Sequence, residues 1–296
     1  MNGDQLLGDI WFKRCDGIQP TIGWATTCQV SSGGIYSWPV FQIDPVTLRI
    51  WLLTEMGSST VQTCYSDNDG YSFSSLTTLA SSYAQFPTIQ HNDLGDMVRG
   101  WVQNNQITLQ FRGVGNQDQT GTMMSSGNTD WSTSYNPTCS GSILTTNTSF
   151  HLSQFGNGNY WLLNTVQTDS QTITSYFSVD NCVTFTQLGS SYTDASSGYH
   201  SRISVSSDGD IIRFWLRGDS SIGLQSWDNV NSNWLNLVVP TNNGSTIYCN
   251  IGGYGHIEFS NDYSNQLSML VVLLGNSVTS NLFSVDGGSS FSLVGS

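Results

Sequence analysis

Three of the seven arginines occupy the same place in a recurring pattern, two residues before a tryptophan. The three segments are Arg49-Ile-Trp51, Arg99-Gly-Trp101 and Arg213-Phe-Trp215. A guanidinium group presents a planar fork of N–H donors that binds a carboxylate through two hydrogen bonds, so three equivalent arginines would suit an acidic ligand. The alternative is a structural role, in which each arginine caps a strand or pairs with a carboxylate of a nearby turn. Those carboxylates are Asp44, Asp96 and Asp210.

Histidine, aspartate and serine show no spacing typical of a metal site or a nucleophile. The four histidines stand far apart in the sequence, without the short spacing of a metal-ligand pair. Two acidic pairs, Asp93 with Asp96 and Asp208 with Asp210, match no EF-hand and are typical of turns. Neither Gly-x-Ser-x-Gly nor a phosphate-binding loop occurs. We therefore expect neither a metal ion nor another cofactor.

The chain of 296 residues is acidic and poor in charge. Charged residues make up 10% of it, against roughly 25% in an ordinary soluble domain. There are 8 Lys and Arg against 21 Asp and Glu, a net charge of −13. Because binding a polyanion requires clustered cations, we expect no nucleic-acid partner. No apolar run reaches the roughly 18 residues of a membrane helix, so we expect no membrane partner either.

A repeat of about 50 residues organises the chain. The segment 284–291 reads Ser-Val-Asp-Gly-Gly-Ser-Ser-Phe, and the same frame recurs in 178–185 and in 66–73. Two degenerate copies of the frame end at Trp131 and Trp234. Upstream of each copy lie two apolar strands joined by a turn of Asp, Asn and Gly residues, which tolerate the backbone of tight turns. Each repeat is therefore a unit of four short antiparallel strands, numbered 1 to 4 below.

This unit and its period predict an all-β fold, a β-propeller in which each four-stranded antiparallel sheet is one blade. We predict six blades in a single domain that spans residues 1–296. Five blades are readable in residues 39–296, and residues 1–38 would form a shortened first blade. The alternative is five blades preceded by an N-terminal arm, because the last blade already has its own fourth strand.

The frame Ser-x-Asp-x-Gly-x-Ser/Thr-Trp/Phe resembles the Asp-box of the sialidase superfamily, also called the bacterial neuraminidase repeat. The copy at 284–291 is complete, and the copies at 178–185 and 66–73 each carry one substitution. The resemblance implies a propeller but little about activity, since Asp-boxes are structural hairpins that non-enzymatic propellers also contain. Catalytic members, as the resemblance implies, use three arginines for a carboxylate, a Tyr/Glu nucleophile pair and an aspartic acid/base.

Topology argues against such a catalytic site on the three recurring arginines. The Asp-box is the turn between strands 3 and 4, and the arginines begin strand 2, so both lie at the same end of the sheet. The resemblance implies an active site at the opposite end, where Arg202 and Arg217 are available. Glu55, predicted to lie in a loop there, could form a pair with a tyrosine. We predict a non-catalytic protein, and a sialidase-type exo-glycosidase is the alternative.

Aromatic residues recur in the loops that precede strand 1, at the mouth of the predicted propeller. Flat aromatic rings stack on the C–H faces of sugars, and neutral amides and hydroxyls bind sugar hydroxyl groups. The alternative is that these rings only pack against the neighbouring blade. The predicted ligand-binding residues are Tyr36, Trp38, Tyr83, Tyr199, His200, Arg202, Arg217 and Tyr254.

The predicted partner is a surface glycan or another host receptor. A neutral, Ser- and Thr-rich surface is typical of extracellular proteins, whereas the first residues show no signal peptide, and together these features predict the surface of a viral or phage particle. A purely structural module that contacts other virion subunits is a third hypothesis, and we expect a homo-oligomer. The six cysteines fit no zinc pattern, and their pairing stays open, with Cys15–Cys28 the most local candidate.

Overall fold

The computed structural model describes strands, turns and bends, and no helix occurs among the described residues. Consequently, this part of the chain has no helix that is long and apolar enough to cross a membrane. The described residues are 9–12, 15–16, 23–24, 27–31, 34, 36–57, 59–114, 117–124, 131–146, 148–155, 160–167, 171–195, 198–205, 210–242, 245–246, 258–261, 267–272, 279–284 and 290–293.

The chain divides into two compact units. The first unit comprises Gln5–Asn104 and Thr108–Tyr135, and the second comprises Met1–Asp4, Asn105–Ile107 and Asn136–Ser296. The strands up to the end of the first unit are β1 (Trp11–Phe12), β2 (Cys15–Asp16), β3 (Gly23–Trp24), β4 (Cys28–Gln29), β5 (Tyr36–Ile43), β6 (Ile50–Met56), β7 (Thr60–Ser66), β8 (Thr77–Ala80), β9 (Ala84–His91), β10 (Met97–Gln103) and β11 (Gln106–Arg112).

The first unit contains two larger sheets and two short strand pairs. Strands β5 to β8 form a four-stranded antiparallel sheet in sequence order, and β9 to β11 form a three-stranded sheet. The short pairs, β1 with β4 and β2 with β3, are nested as in one hairpin. Residues 1–38 therefore contribute paired strands, which fit a shortened blade as well as an arm. The degenerate repeat copy that ends at Trp131 lies largely outside the described residues.

The second unit continues the same pattern. Its strands are β12 (Thr138–Cys139), β13 (Ser142–Ile143), β14 (Phe150–Gln154), β15 (Trp161–Val166), β16 (Thr172–Ser178), β17 (Thr184–Gln187), β18 (Tyr192–Thr193), β19 (Gly198–Val205), β20 (Ile211–Arg217), β21 (Ile222–Asp228), β22 (Asn233–Trp234), β23 (Thr241–Asn242), β24 (Ser245–Thr246), β25 (Glu258–Asn261), β26 (Leu267–Val272), β27 (Thr279–Ser284) and β28 (Ser290–Leu293).

Three four-stranded antiparallel meanders make up this unit: β14 to β17, β19 to β22 and β25 to β28. Two of them are widened by a hairpin at the outer edge, because β12 pairs in parallel with β17 and β23 pairs in parallel with β28. Together with the sheet β5 to β8, these meanders confirm the prediction of an all-β chain built from repeated four-stranded antiparallel sheets.

The core follows the second strand in four of the sheets. Strands β6, β10, β15 and β20 are buried along almost their whole length, as expected for a strand that is covered on both faces of its sheet. Each contributes one tryptophan that is at most 2% exposed, and these are Trp51, Trp101, Trp161 and Trp215. The recurring tryptophans of the sequence pattern are therefore core residues.

The turn that follows β7 has the hydrogen bonds expected of the repeat frame. Ser66 Oγ accepts a hydrogen bond from the Gly70 N–H (2.9 Å), and Asn68 Oδ1 accepts one from the Ser72 N–H (3.0 Å). Both side chains replace hydrogen-bond partners that the backbone loses where the chain reverses. The frame therefore folds through contacts that are local in sequence.

The turn that follows β16 repeats these contacts at equivalent positions. Ser178 Oγ accepts from the Cys182 N–H (3.0 Å), and Asp180 Oδ1 accepts from the Thr184 N–H (2.9 Å). Burial opposes ionisation of Asp180, but the hydrogen bonds from the Thr184 hydroxyl and N–H outweigh it and lower the pKa of the carboxyl. Cys182 stands where the frame has glycine and keeps the left-handed backbone, with φ of +66°.

Gly70→Ala should lower the free energy of unfolding by roughly 2–4 kcal/mol. Gly70 has φ of +81°, and an added Cβ would lie 2.3 Å from the ring of Phe12. Gly121→Ala is the matched control, because Gly121 has φ of +78° and no heavy atom lies within 4 Å of its added Cβ. We expect the control to cost about 1 kcal/mol. Urea denaturation followed by circular dichroism measures both losses, and equal losses would contradict the contribution of Phe12.

Candidate functional site

The first strands of three sheets carry the same irregularity. In each, two residues oppose one residue of strand 2: 38–39 in β5, 86–87 in β9 and 200–201 in β19. Such β-bulges bend the strand and redirect its side chains, and they are frequent next to binding sites. The first residue of each bulge has a positive φ, namely Trp38 (+52°), Phe86 (+54°) and His200 (+47°). Bulky residues rarely adopt this conformation.

Two of these bulges bring aromatic residues together in the first unit. The rings of Trp38 and Phe86 are 5.9 Å apart between centroids and meet edge to face. Tyr83, which directly precedes β9, is 74% exposed and also has a positive φ of +62°. Tyr36 is half-buried and packs against the core cluster that contains Leu52. Of the predicted aromatic residues, Tyr83 is thus open to solvent, whereas Tyr36 also supports the core.

Glu55 lies at the same end of the sheet, but not in a loop as predicted. It is part of β6, pairs with Ser37 and is only 3% exposed. Its Oε2 accepts a hydrogen bond from the N–H of Phe86, at 3.2 Å. Burial raises the pKa of Glu55, and the hydrogen bond from Phe86 only partly offsets this effect. The carboxylate therefore anchors the bulge of β9, because a bulged N–H has no partner in the strand ladder.

In the second unit, the predicted residues Arg202 and His200 lie in strand β19. Arg202 is 8% exposed, its Nη1 donates to the Ser201 carbonyl (3.2 Å), and its own carbonyl accepts from Asn164 Nδ2 (3.0 Å). His200 is half-buried at the bulge. The side chain of Tyr199 and the whole of Tyr254 lie outside the described residues, so their ligand contacts stay predictions.

Arg217, also predicted to bind ligand, forms an ion pair inside the second unit. Its Nε donates to Asp194 Oδ2 (2.8 Å) and its Nη2 to Asp194 Oδ1 (3.2 Å), and its Nη1 contacts Asp219 at 3.3 Å. The hydrogen bonds with Asp194 are the main reason why the pKa of Arg217 is raised. Trp215 Nε1 donates to the same carboxylate, at 2.8 Å. The fork of Arg217 is therefore already occupied by a carboxylate of the chain.

The three recurring arginines are used within the sheets, in agreement with the structural hypothesis. Arg49 Nε pairs with Asp67 (2.6 Å), and Arg99 Nε donates to Gln110 Oε1 (2.8 Å). Arg213 donates from Nε and Nη2 to Gln225 Oε1 in β21. Burial lowers the pKa of Arg213 to about 9. Their guanidinium groups lie 4.0–4.1 Å from the ring centroids of Tyr65, Trp131 and Trp234.

The partners expected for these arginines differ from those found. Asp44 accepts a hydrogen bond from Arg112 Nη1 at 2.6 Å, and this contact ties the turn after β5 to the end of β11. Burial opposes ionisation of Asp44, but the bonds from the Thr47 hydroxyl and from the Val46 and Thr47 N–H groups, with the charge of Arg112, lower its pKa. The carboxylate that Arg49 pairs with comes instead from the repeat frame itself.

The described part of the chain contains no arrangement of side chains suited to metal binding or to thiol chemistry. No group of three His, Cys, Asp or Glu side chains there could hold a metal ion. Cys28, Cys64, Cys139 and Cys182 are free thiols, and burial raises the pKa of Cys64 to about 12. A thiol with so high a pKa is unreactive at neutral pH. The side chains of Cys15 and Cys249 lie outside the described residues.

The bulges were not predicted, although two of them have a local signal. Trp38-Pro39 and Phe86-Pro87 are the two aromatic–proline pairs of the first unit that fall inside strands. A proline cannot donate to the strand ladder, so within sheets it is confined to edges, strand starts and bulges. Phe86 itself was missing from the predicted site. The third bulge, at His200, contains no proline and has no comparable signal.

Comparison with known proteins supports the fold. No protein-family model and no curated protein matches the chain. A protein of unknown function from Dyadobacter fermentans is similar in structure, with a TM-score of 0.60 and 10% identity over 84% of this chain and 78% of that one. The fucose-recognising lectin of Aleuria aurantia, a six-bladed β-propeller, has a TM-score of 0.57 and 11% identity over 87% and 76%. An ulvan lyase, a polysaccharide lyase, has a TM-score of 0.53 and 10% identity over 89% and 70%.

At this level of identity the similarity establishes the fold alone. The chain has the fold of a β-propeller with four-stranded antiparallel blades, and the Aleuria aurantia lectin that it resembles has six of them.

Proposed function

We propose that the protein is a non-catalytic β-propeller that binds carbohydrate at the bulged end of its sheets. The observation that carries this proposal is the repeated β-bulge, which holds Trp38 and Phe86 in an uncommon backbone conformation and brings their rings together. Tyr83 adds an exposed ring at the start of the same strand as Phe86. Strained backbone persists only where the surrounding structure enforces it, and such positions cluster at binding sites.

Carbohydrate is the ligand class that this chemistry fits best. Aromatic faces stack on sugar rings without needing charge, which suits a chain in which only 10% of residues are charged. The similarity to the fucose-recognising lectin of Aleuria aurantia supports the same ligand class. The proposed partner is a glycan on a host surface. The proposed location is the surface of a viral or phage particle, where the protein would form a homo-oligomer. Mass spectrometry of purified particles tests that location.

The exo-glycosidase alternative is less well supported. Glu55, the candidate for a nucleophile pair, is buried and holds the Phe86 N–H. Arg217, a candidate for binding an acidic substrate, already pairs with Asp194. Both groups therefore already have hydrogen-bond partners within the protein. The purely structural alternative predicts no carbohydrate binding at all.

Glycan-array binding with three single variants tests the proposal. Trp38→Ala and Tyr83→Ala should each weaken binding of the recognised glycan at least tenfold, because both remove an aromatic contact surface. Tyr71→Ala is the matched control: Tyr71 is 63% exposed but lies in the turn between β7 and β8, at the other end of the sheet. Binding lost equally in all three variants, or no binding by the wild type, would contradict the proposal. Hydrolysis of a fluorogenic sialoside would favour the enzyme instead.

A further inference from the structure

Four exposed aliphatic side chains lie together at one end of the first unit, and we call them the aliphatic patch. Val46 and Leu48 belong to the turn between β5 and β6, Leu94 to the turn between β9 and β10, and Val114 follows β11. Each of them is at least 46% exposed. Single exposed apolar residues are common on protein surfaces, whereas a contiguous patch is characteristic of an interaction site.

Contacts at Gly95 make the patch continuous. A Cβ atom placed on Gly95 would lie 2.5 Å from Cγ2 of Val46 and 3.1 Å from Cγ2 of Val114. These two valines follow strands of different sheets, and they converge on the same glycine. Leu94 directly precedes Gly95, and Leu48 is two residues from Val46. The patch therefore extends across both turns.

Buried anchors hold both turns in fixed positions. Asp44 and Asn92 are each fully buried. Oδ1 of Asp44 accepts a hydrogen bond from the Val46 N–H (2.9 Å), and Oδ1 of Asn92 accepts one from the Leu94 N–H (3.0 Å). Leu48 has φ of +61°, a conformation that bulky residues rarely adopt. A surface that is already fixed loses little conformational entropy when a partner binds, which favours association.

The fold does not require aliphatic residues in these turns. Turns between strands usually contain Gly, Asn, Asp and Ser. In the second unit, two of the segments that join strand 1 to strand 2 read Gly-Asn-Gly-Asn at 156–159 and Ser-Ser-Asp-Gly at 206–209. Both segments consist of such residues alone. The aliphatic side chains of the first unit are therefore not needed to connect the strands, and they are available for contact with another molecule.

The rim of the patch is acidic. Asp93 and Asp96 lie on either side of Leu94 in the sequence, and Asp93 is exposed. The arginines next to the patch in the sequence are already in ion pairs of 2.6 Å, Arg49 with Asp67 and Arg112 with Asp44. Because the chain has a net charge of −13, a second copy docked through the same patch, or an anionic membrane, would meet like charge. A partner with basic groups around an apolar centre would meet complementary charge.

The patch lies at the opposite end of the sheet from the bulge of β5. This bulge begins at Trp38, and the strand ends at Ile43, directly before the turn that contains Val46. Five residues of extended chain correspond to roughly 15 Å. A partner on the patch would therefore leave the proposed carbohydrate site open.

We propose that the aliphatic patch is a docking surface for a protein partner that presents an apolar centre surrounded by lysine or arginine side chains. Burial of the aliphatic side chains would supply affinity, and the opposite charges at the rim would select the partner and its orientation. The proposal does not depend on the proposed function, because the two surfaces share no residue.

A cationic amphipathic peptide, with leucine on one face of a helix and lysine on the other, is the probe for this surface. Val46→Ser and Leu94→Ser should each weaken its binding, measured by fluorescence anisotropy, at least about tenfold. Val230→Ser is the matched control and should bind within twofold of the wild type. Val230 is 90% exposed, and its N–H donates to Asp228 Oδ1 (2.8 Å) as the Val46 N–H donates to Asp44 Oδ1 (2.9 Å). Equal affinity of the wild type and both patch variants would overturn the proposal.

The charge of the probe tests the acidic rim. The same peptide with glutamate in place of lysine should bind at least about tenfold more weakly, because its charges repel the rim. Added salt should weaken binding of the lysine peptide, since salt screens exposed charges. Binding of the glutamate peptide as tight as that of the lysine peptide would overturn the proposed chemistry of the partner.

Three further measurements distinguish a protein partner from other occupants. Sedimentation velocity reports on a second copy, and Leu94→Ser should have the oligomeric state of the wild type. Flotation with phosphatidylserine or phosphatidylcholine vesicles reports on a membrane, and neither should carry the wild type. An oligomer or a vesicle complex that is lost in Leu94→Ser would overturn the proposal. Glycan-array binding should be the same in Val46→Ser and wild type, and absence of glycan binding with peptide binding intact would contradict the proposed function alone.

Discussion

Replacing Arg213 with alanine should lower the free energy of unfolding by about 3 kcal/mol or more, and replacing Arg49 with alanine by no more than about 1 kcal/mol. The two arginines hold the same position in the repeat, two residues before the tryptophan of strand 2. They differ in burial. Arg213 is fully buried, whereas Arg49 pairs with Asp67, whose side chain is 57% exposed. The pair therefore compares one residue type at one strand position in two environments.

The large effect follows from the contacts of Arg213 in the second unit. Its Nε and Nη2 donate to Gln225 Oε1 (3.0 and 2.7 Å), and its Nη1 donates to Ser175 Oγ (3.2 Å). The guanidinium also covers the ring of Trp234 at 4.0 Å. Alanine would leave Gln225 without these donors and open a cavity beside Trp234, and both changes are costly in a protein interior.

A third variant separates charge from packing at this position. Burial lowers the pKa of Arg213 to about 9, so keeping its charge away from water has a cost at neutral pH. Arg213→Met removes that cost and fills most of the space, so its loss of stability should be smaller than that of Arg213→Ala. Urea denaturation at pH 7 followed by circular dichroism measures all three variants. Equal losses for the alanine variants at 213 and 49 would contradict the role of burial.

The strand order was predictable because it depends on contacts that are close in sequence. The repeat frame places a Ser and an Asx residue in the 3–4 turn, and the turns that follow β7 and β16 use them in the same way, through Ser66 and Asn68 and through Ser178 and Asp180. The apolar strand 2 was recognisable because it is buried on both faces. Together, these two local rules led to the four-stranded units.

The candidate site was less predictable because its shape depends on contacts between strands that are distant in sequence. The side chain of Glu55 reaches the N–H of Phe86, 31 residues away in the chain. The buried stretch of β6 continues through Thr54 and Glu55, but the apolar run of the sequence ends at Leu53, so a single carboxylate beyond it gave no sign of being buried. The fork of Arg217 is occupied by Asp194, and this pairing across 23 residues likewise has no sequence pattern. Residue type was therefore informative about local turns but not about which polar groups remain free for a ligand.

Asp194→Ala should lower the free energy of unfolding by about 3–5 kcal/mol. Asp194 is 1% exposed and accepts hydrogen bonds from Trp215 Nε1 (2.8 Å) and from two nitrogens of Arg217 (2.8 and 3.2 Å). Its removal would leave the buried indole N–H without its Asp194 acceptor and would take from the guanidinium of Arg217 the nearer and more buried of its two carboxylate partners. Each of these losses is expensive in a low-dielectric interior.

Asp219→Ala is the matched control, because it removes the other carboxylate that contacts Arg217. The side chain of Asp219 is 49% exposed, so the change should cost no more than about 1 kcal/mol. Asp194→Asn should fall between the two, since the amide oxygen can still accept from Trp215 but carries no charge. Urea denaturation of the three variants measures the differences, and similar losses for Asp194→Ala and Asp219→Ala would contradict the buried pair. Arg217→Met should then lose stability and retain carbohydrate binding, because its guanidinium holds Asp194 and is not available to a ligand.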